Sequence, residues 1–323
     1  MTSGRQRKNV EFTTVQEESK EEKRAVRWLC GMLGVSRSGY YKWQHHVKTR
    51  EELENEEIAE QVKKLHEEHK QRLGYRRMTG YLNRDNGTEY GEKRIYGIMR
   101  RRGIHSVIRR KRKTYQRSTA EVTAENVLNR DFNASRPNEK WLTDVTEFRW
   151  YDGCRIRKLY LSGILDLYDK SIVSYEIRDK NNNELVCATL DRAIAANPDA
   201  KPILHSDRGF QYTTQVFRNK LLKQGMTPSM SRTGHCIDNG PMEGFWSTIK
   251  AEMYDLREYR SVEELTAAIE EYIRYYHEKR YQARFGYRTP NEVRAEALGQ
   301  AEPAQYPIAP NPRIRKFKAR YHA

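Results

Sequence analysis

Three carboxylates stand where this chain could do chemistry. Asp207 closes the short apolar stretch "KPILHS" (Lys201–Ser206) and precedes Gly209, Asp144 sits in "WLTDVTEF", and Glu243 follows Pro241 in "DNGPMEGFWSTIKAEMY". Carboxylate oxygens are hard donors suited to magnesium or manganese. Each residue also has an ordinary local use. An Asp before a glycine closes a turn by accepting backbone N–H bonds, and a Glu in the first helical turn opposes the helix dipole. These uses account for each acid singly but not for the three together.

The elements that must position them follow from pattern. "KWLTDVTEFRWYDG" reads as a strand and turn, and "RKLYLSGILDLYDKSIVSYEIRD" as two strands joined at Asp169 and Lys170. Asn183–Asn197 reads as a helix, "PILHS" as a fourth strand, Thr213–Gly225 as a helix and "TPSMSR" as a fifth strand. The third helix starts at an Asn239 or Gly240 cap with Pro241 set for its first turn. At a helical step of about 100°, Met242, Phe245, Trp246, Ile249 and Met253 share an apolar face. Glu243, Ser247, Lys250 and Tyr254 line another. This order of elements matches an α/β, ribonuclease-H-like mixed five-stranded sheet with flanking helices.

The front of the chain is different: helical and basic. Val26, Leu29 and Leu33 fall at helical spacing before a break at Gly34, and "SRSGYYKW" restarts a short helix, giving a helix-turn-helix shape. Glu52–His69 is a charged helix with Ile58, Val62 and Leu65 as its stripe. Leu73–Gly103 reads as helix, "DNG" turn, helix. The second of these carries Lys93, Arg94, Arg100, Arg101 and Arg102, which suits a recognition helix in a DNA groove. Next comes "IRRKRKTYQR", where Arg109, Arg110, Lys111, Arg112 and Lys113 are by themselves either a solvated surface run or a phosphate-tracking arm, and beside the helix-turn-helix candidates read as the arm. Over 323 residues, 60 Lys and Arg against 44 Asp and Glu leave a net charge of +16, which attracts polyanions.

Together "GYRR", "WLTDVTEF", "LHSDRGFQYTT", "DNGPMEGFWSTIKAE" and "YIRYYHEKRYQARFGYRTPNEV" resemble the second-frame product of IS3-family insertion sequences, transposases with an integrase-like core. The 35 residues between Asp207 and Glu243 match that core's D, D, 35, E spacing. The resemblance implies that Asp144, Asp207 and Glu243 are the catalytic metal ligands. They would hold two Mg²⁺ or Mn²⁺ ions, with Asp144 bridging. It also implies that Lys250 holds the phosphate of a DNA end. The expected activity is cleavage and strand transfer at insertion-sequence ends. The expected partners are double-stranded DNA, as terminal repeats and as target, and further copies of the chain in a homo-oligomer. The expected organisation is a helix-turn-helix-like segment at 1–50, a helical DNA-binding region with basic arm at 51–117, a linker at 118–136, an integrase-like catalytic domain at 137–298 and a basic, Pro-containing tail at 299–323.

Other residues receive structural readings. Asp166 is expected mid-strand in a supporting role, Asp238 to shape the turn before the helix, Glu147 to face away from Asp144 by strand parity, and Asp152 to sit in a turn. His66 and His69, three apart on a charged helix, are expected to face solvent, and His205 is either a packed strand residue or an orienting one. Cys30, Cys154, Cys187 and Cys236 are scattered without a CxxC pair, so neither a disulfide framework nor a zinc site is expected. No long apolar run and no signal-peptide core is present, so a membrane partner is not expected and a cytoplasmic, nucleoid-associated protein is. Two other functions fit parts of the pattern. A non-catalytic DNA-binding regulator would not need all three acids, and a ribonuclease H would not need the basic front.

Overall fold

The computed structural model describes residues 4–21, 25–108, 125–231 and 236–308. The chain forms two compact units, Met1–Gln61 and Val62–Ala323. The basic run Arg109, Arg110, Lys111, Arg112 and Lys113 and the end of the tail, 309–323, lie outside the described residues.

The first unit holds α1 (Gly4–Glu21), α2 (Val26–Leu33), α3 (Arg37–Gln44) and the start of α4 (Arg50–Glu68). Gly34 ends α2 at φ 65°, a left-handed conformation that glycine adopts without a Cβ penalty. The Ser36 hydroxyl then caps α3 by accepting from Gly39 N–H. Helix α1 has no counterpart in the sequence reading. Its apolar contribution is Phe12 and Val15, which pack with Leu29, Cys30 and Tyr40.

The second unit begins with the rest of α4 and continues through α5 (Tyr75–Asn86) and α6 (Glu92–Arg101). Helix α6 buries Ile95, Ile98 and Met99 and leaves Lys93, Arg100, Arg101 and Arg102 exposed. Then come β1 (Lys140–Asp152), β2 (Arg155–Asp166), β3 (Ile172–Arg178), α7 (Asn183–Ala196), β4 (Ile203–Ser206), α8 (Gln215–Lys223), β5 (Thr227–Met230), α9 (Gly240–Glu252), α10 (Val262–Glu278) and α11 (Pro290–Leu298). The sheet order is β3-β2-β1-β4-β5. Strands β1 to β3 form an antiparallel meander, and β4 and β5 add in parallel beside β1.

Alternation along β1 sets the two layers. Leu142 and Phe148 point into a core with Met242, Phe245, Trp246 and Ile249 of α9 and Leu265, Ile269, Tyr272 and Tyr276 of α10. Trp141 points the other way, to Val186 and Leu190 of α7 and Phe217 and Leu221 of α8. The mixed five-stranded sheet with helices on both faces is the architecture expected from the sequence.

Helix α5 is fastened to the sheet domain by polar groups. Arg77 Nη1 donates to Glu252 Oε1 at 2.9 Å, and Arg280 reaches the same carboxylate at 2.8 and 3.0 Å. The Tyr272 hydroxyl adds a bond of 3.0 Å to Glu252. Tyr81 donates to the Lys279 carbonyl and stacks on Tyr281 with centroids 4.3 Å apart, while Arg84 bonds the Tyr287 carbonyl and Glu292.

Three readings need correction. His69 does not face solvent: it is buried against Tyr81 and Tyr275, with Nδ1 3.1 Å from the Tyr275 hydroxyl. Burial pushes its imidazole down to about 4. Asp166 is not mid-strand but ends β2, where it is fully buried and held with Asp169 by Arg294 of α11, at 3.2 and 2.9 Å. The Asp238 side chain does more than shape a turn, since it is buried in an ion pair with Arg130 and accepts from Asn126 at 3.1 Å. In each case a distant part of the chain supplies the partner.

Candidate active site

Parallel pairing of Lys140, Trp141 and Leu142 with Ile203, Leu204 and His205 brings the start of β1 level with β4, so Asp144, still within β1, and Asp207, the residue after β4, each lie two positions beyond the last paired residues. Asp144 shares a face with Leu142 and Phe148, the face covered by α9. Its carboxylate is fixed at both oxygens: Oδ1 accepts Val145 N–H at 2.8 Å, and Oδ2 accepts the indole N–H of Trp246 at 3.0 Å. Asp207 Oδ1 accepts Gly209 N–H at 2.8 Å, so the turn use and the site placement coexist. His205 is a packed strand residue, bonded to Ser229 and Ser231 at 2.9 and 3.1 Å.

Helix α9 is seated beside Asp144 at its N-terminal end. Asn239 precedes it and donates from Nδ2 to the Thr143 carbonyl at 3.2 Å. Glu243 is exposed in the first turn, three residues before Trp246. Lys250, in the last turn, places Nζ over the Phe148 ring of β1, 5.3 Å from its centroid.

The two aspartates act on each other. Asp144 is raised well above the usual carboxylate range by burial first, then by the charge of Asp207, with Glu243 adding in the same direction. Burial raises Asp207 too. The buried Tyr212 hydroxyl lies under the influence of both. None of the strongest influences on Asp144 is a cation. Two neighbouring half-buried carboxylates are costly without positive charge, and a divalent cation matches what they lack. Among the described residues no three His, Cys, Asp or Glu side chains form a ready metal cage. Asp144 and Asp207 are brought together, and Glu243 is close enough to influence Asp144 from the helix that covers it.

Sequence reasoning placed Trp246 only in the helix stripe and gave no role to Gly163 or Tyr212; Asn239, expected as a possible cap, precedes α9 but its side chain makes no capping bond and reaches the Thr143 carbonyl instead. Gly163 is directly opposite Asp144 on β2. A Cβ there would lie 3.1 Å from both Met242 Cε and Trp246 Cη2, so the missing side chain lets α9 approach the sheet. A glycine inside an apolar strand is the signal of such an approach. Gly163→Val is therefore expected to lift α9, lowering stability by about 1–3 kcal/mol in urea unfolding. It should reduce strand cleavage more than DNA binding.

The remaining candidates, Arg94, Arg100, Arg101 and Arg102, belong to α6 and the residue after it. Arg94 lies over the Tyr90 ring, 5.7 Å from its centroid. They are not part of the carboxylate site.

Comparison with known proteins agrees with this architecture. Integrase core domain models match residues 134–236 and 224–290, and an HTH-like domain model matches residues 52–112. The putative transposase InsK for insertion sequence element IS150 of Escherichia coli is 37% identical over 262 residues, covering 80% of this chain and 90% of that protein. The transposase for insertion sequence element IS904 of Lactococcus lactis is 31% identical, covering 77% and 97%. Transposase InsF for insertion sequence IS3A of Escherichia coli is 29% identical, covering 77% and 86%. With an HTH-like region ahead of an integrase core, and with this coverage by its relatives, the chain belongs to the IS3-family insertion-sequence transposases.

Proposed function

We propose that the protein binds the ends of an insertion sequence and cuts and rejoins DNA by phosphoryl transfer, with Asp144, Asp207 and Glu243 as the catalytic and metal-holding carboxylates. The observation that carries this reading is the neighbouring placement of Asp144, inside β1, and Asp207, just past the end of the parallel β4, both half-buried and beside the helix that begins near Glu243. Divalent metal ions held there would stabilise the charge developing on the attacking and leaving oxygens of an in-line displacement. The chain's own part is positional. Trp246 and Val145 fix the Asp144 carboxylate, the Gly209 turn fixes Asp207, and Asn239 ties the start of α9 to β1.

Lys250 is about 10 Å along the axis from Glu243 by helical rise, a reach suited to the phosphate of a bound end. The exposed bases of α6 and the run at Arg109 to Lys113 would hold flanking duplex. Assembly as a homo-oligomer would bring two ends together.

The test is incubation of the purified chain with labelled duplexes carrying element ends, with magnesium, with manganese and with chelator. Metal-dependent nicking followed by joining is expected. Tight DNA binding with no cleavage under any metal would favour the non-catalytic regulator instead.

A further inference from the structure

A cleft of about 510 Å³ opens between the turn after α4, the end of α9 and α10. Arg72 lines it and is only 7% exposed. Its guanidinium carbon stands 5.5 Å from the Tyr272 ring centroid and 5.0 Å from that of Tyr275. Its Nε is buried without a hydrogen-bond partner. Among the described residues the guanidinium makes neither an ion pair nor a hydrogen bond. Glu271, the acid that feels it, is paired with Lys70 at 2.5 Å. A guanidinium has five donors in a planar fork. Stacking on ring faces leaves that fork unspent, and a buried unpaired charge is costly to keep.

The surroundings point to an anion. Lys70, Arg257, Arg274 and Lys279 also line the cleft and are exposed. Lys70, Arg257 and Lys279 are paired with Glu271, Glu264 and Glu68, which among the described residues leaves Arg72 and Arg274 as the cleft's uncompensated positive charge against Glu278. The turn that presents Arg72 is held in an uncommon shape, with Lys70 at φ 50° and Gln71 at φ 61°, left-handed values that non-glycine residues seldom adopt. It is pinned by Val107 N–H to the Gln71 carbonyl at 3.1 Å and by the Ser106 hydroxyl to the Arg72 carbonyl at 3.1 Å. In sequence, those pinning residues lead directly into Arg109 to Lys113.

We propose that this cleft takes a backbone phosphate of DNA, with Arg72 as its fork and the exposed bases around it as the electrostatic funnel. An oxyanion between the guanidinium and the cleft mouth would meet the donors that the protein leaves unused, since Arg matches phosphate geometry and stacks on aromatic faces at once. The site deepens the transposase reading and rests on it: it adds a phosphate contact remote from the carboxylates, reached from the helix-turn-helix side of the unit.

The test measures binding of the full chain to an element-end duplex across a salt series. Variants are Arg72→Met, which keeps the stem on the tyrosines, Arg72→Lys, and the surface change Arg274→Gln, which leaves the buried residues in place. Each lost phosphate contact lowers the log–log salt slope by about 0.9. Arg72→Met is expected to show that drop, Arg72→Lys to retain most of the slope, and Arg274→Gln to weaken binding at low salt. A second measurement, phosphate-ethylation interference, is expected to show one position that matters for wild type and not for Arg72→Met. Should Arg72→Met not fold, Arg274→Gln and interference on wild type decide. Unchanged slopes and affinities in folded variants overturn the site. So does a change confined to self-association in sedimentation, which would mark the cleft as an acidic-protein site. A wild-type chain that binds no duplex at any salt overturns the transposase reading itself.

Discussion

Asp207→Asn is expected to abolish both nicking and joining, a fall of at least about 10³-fold or roughly 4 kcal/mol in barrier, while end binding stays within about twofold. The amide keeps the shape of the side chain and can still accept from Gly209 N–H, the bond that sets the turn. What it removes is negative charge beside Asp144. Without that charge Asp144 falls only part of the way back, because burial, the largest cause of its rise, remains while Asp207, its strongest charged neighbour, is gone. Metal-free stability should therefore hold or rise in urea unfolding, since a like-charge contact has been relieved. Loss of activity with retained stability and retained binding is the pattern of a catalytic carboxylate. Retained joining would remove Asp207 from the site.

The second large effect lies away from the chemistry. Glu252→Gln leaves Arg77 and Arg280, whose side chains are 25% and 17% exposed, facing a neutral amide. Breaking a buried ion pair at one partner costs roughly 3–5 kcal/mol, measurable as a shift of the urea midpoint. Its pH dependence has a definite sign. Burial alone would raise Glu252, but Arg280 and then Arg77 hold it down to about 2. The carboxylate therefore contributes stability that is complete above the ordinary glutamate value of 4.5 and is lost as pH falls toward about 2. Wild type should weaken through that window, and Glu252→Gln should show a flatter acid limb. An equal acid limb in both proteins would mean that the network contributes nothing there.

Local signals in the sequence carried much of the architecture. The stripe of Met242, Phe245, Trp246, Ile249 and Met253 is buried as spaced, and Leu265, Ile269, Tyr272 and Tyr276 bury one face of α10. Both are periodic, and periodicity is local. Helix α1 was illegible because Phe12 and Val15 alone give no period. His69, Asp238 and Glu252 were misread or passed over for one reason: each looks solvent-facing or turn-forming from its neighbours, yet its partner is remote, Tyr275 for His69 and Arg130 for Asp238. For Glu252 the partner lies 175 residues away, in Arg77. The adjacency of Asp144 and Asp207 was legible only through the family resemblance. Strand pairing, which no single stretch encodes, brings them level.

The fastening of α5 has a consequence for protein engineering. Arg77, Tyr81 and Arg84 grip Glu252, Lys279, Tyr281 and Glu292, and Gly80 has no room for even a methyl group, because a Cβ would fall 1.9 Å from the Tyr287 ring. A chimaera that grafts another transposase's HTH-like helices upstream of the sheet would leave two arginine sockets and an aromatic shelf unmatched. The transferable cassette is therefore not cut at the linker expected over 118–136. It has to carry the α10–α11 surface along with α5, so that exchanging the HTH-like helices means exchanging both sides of that joint together.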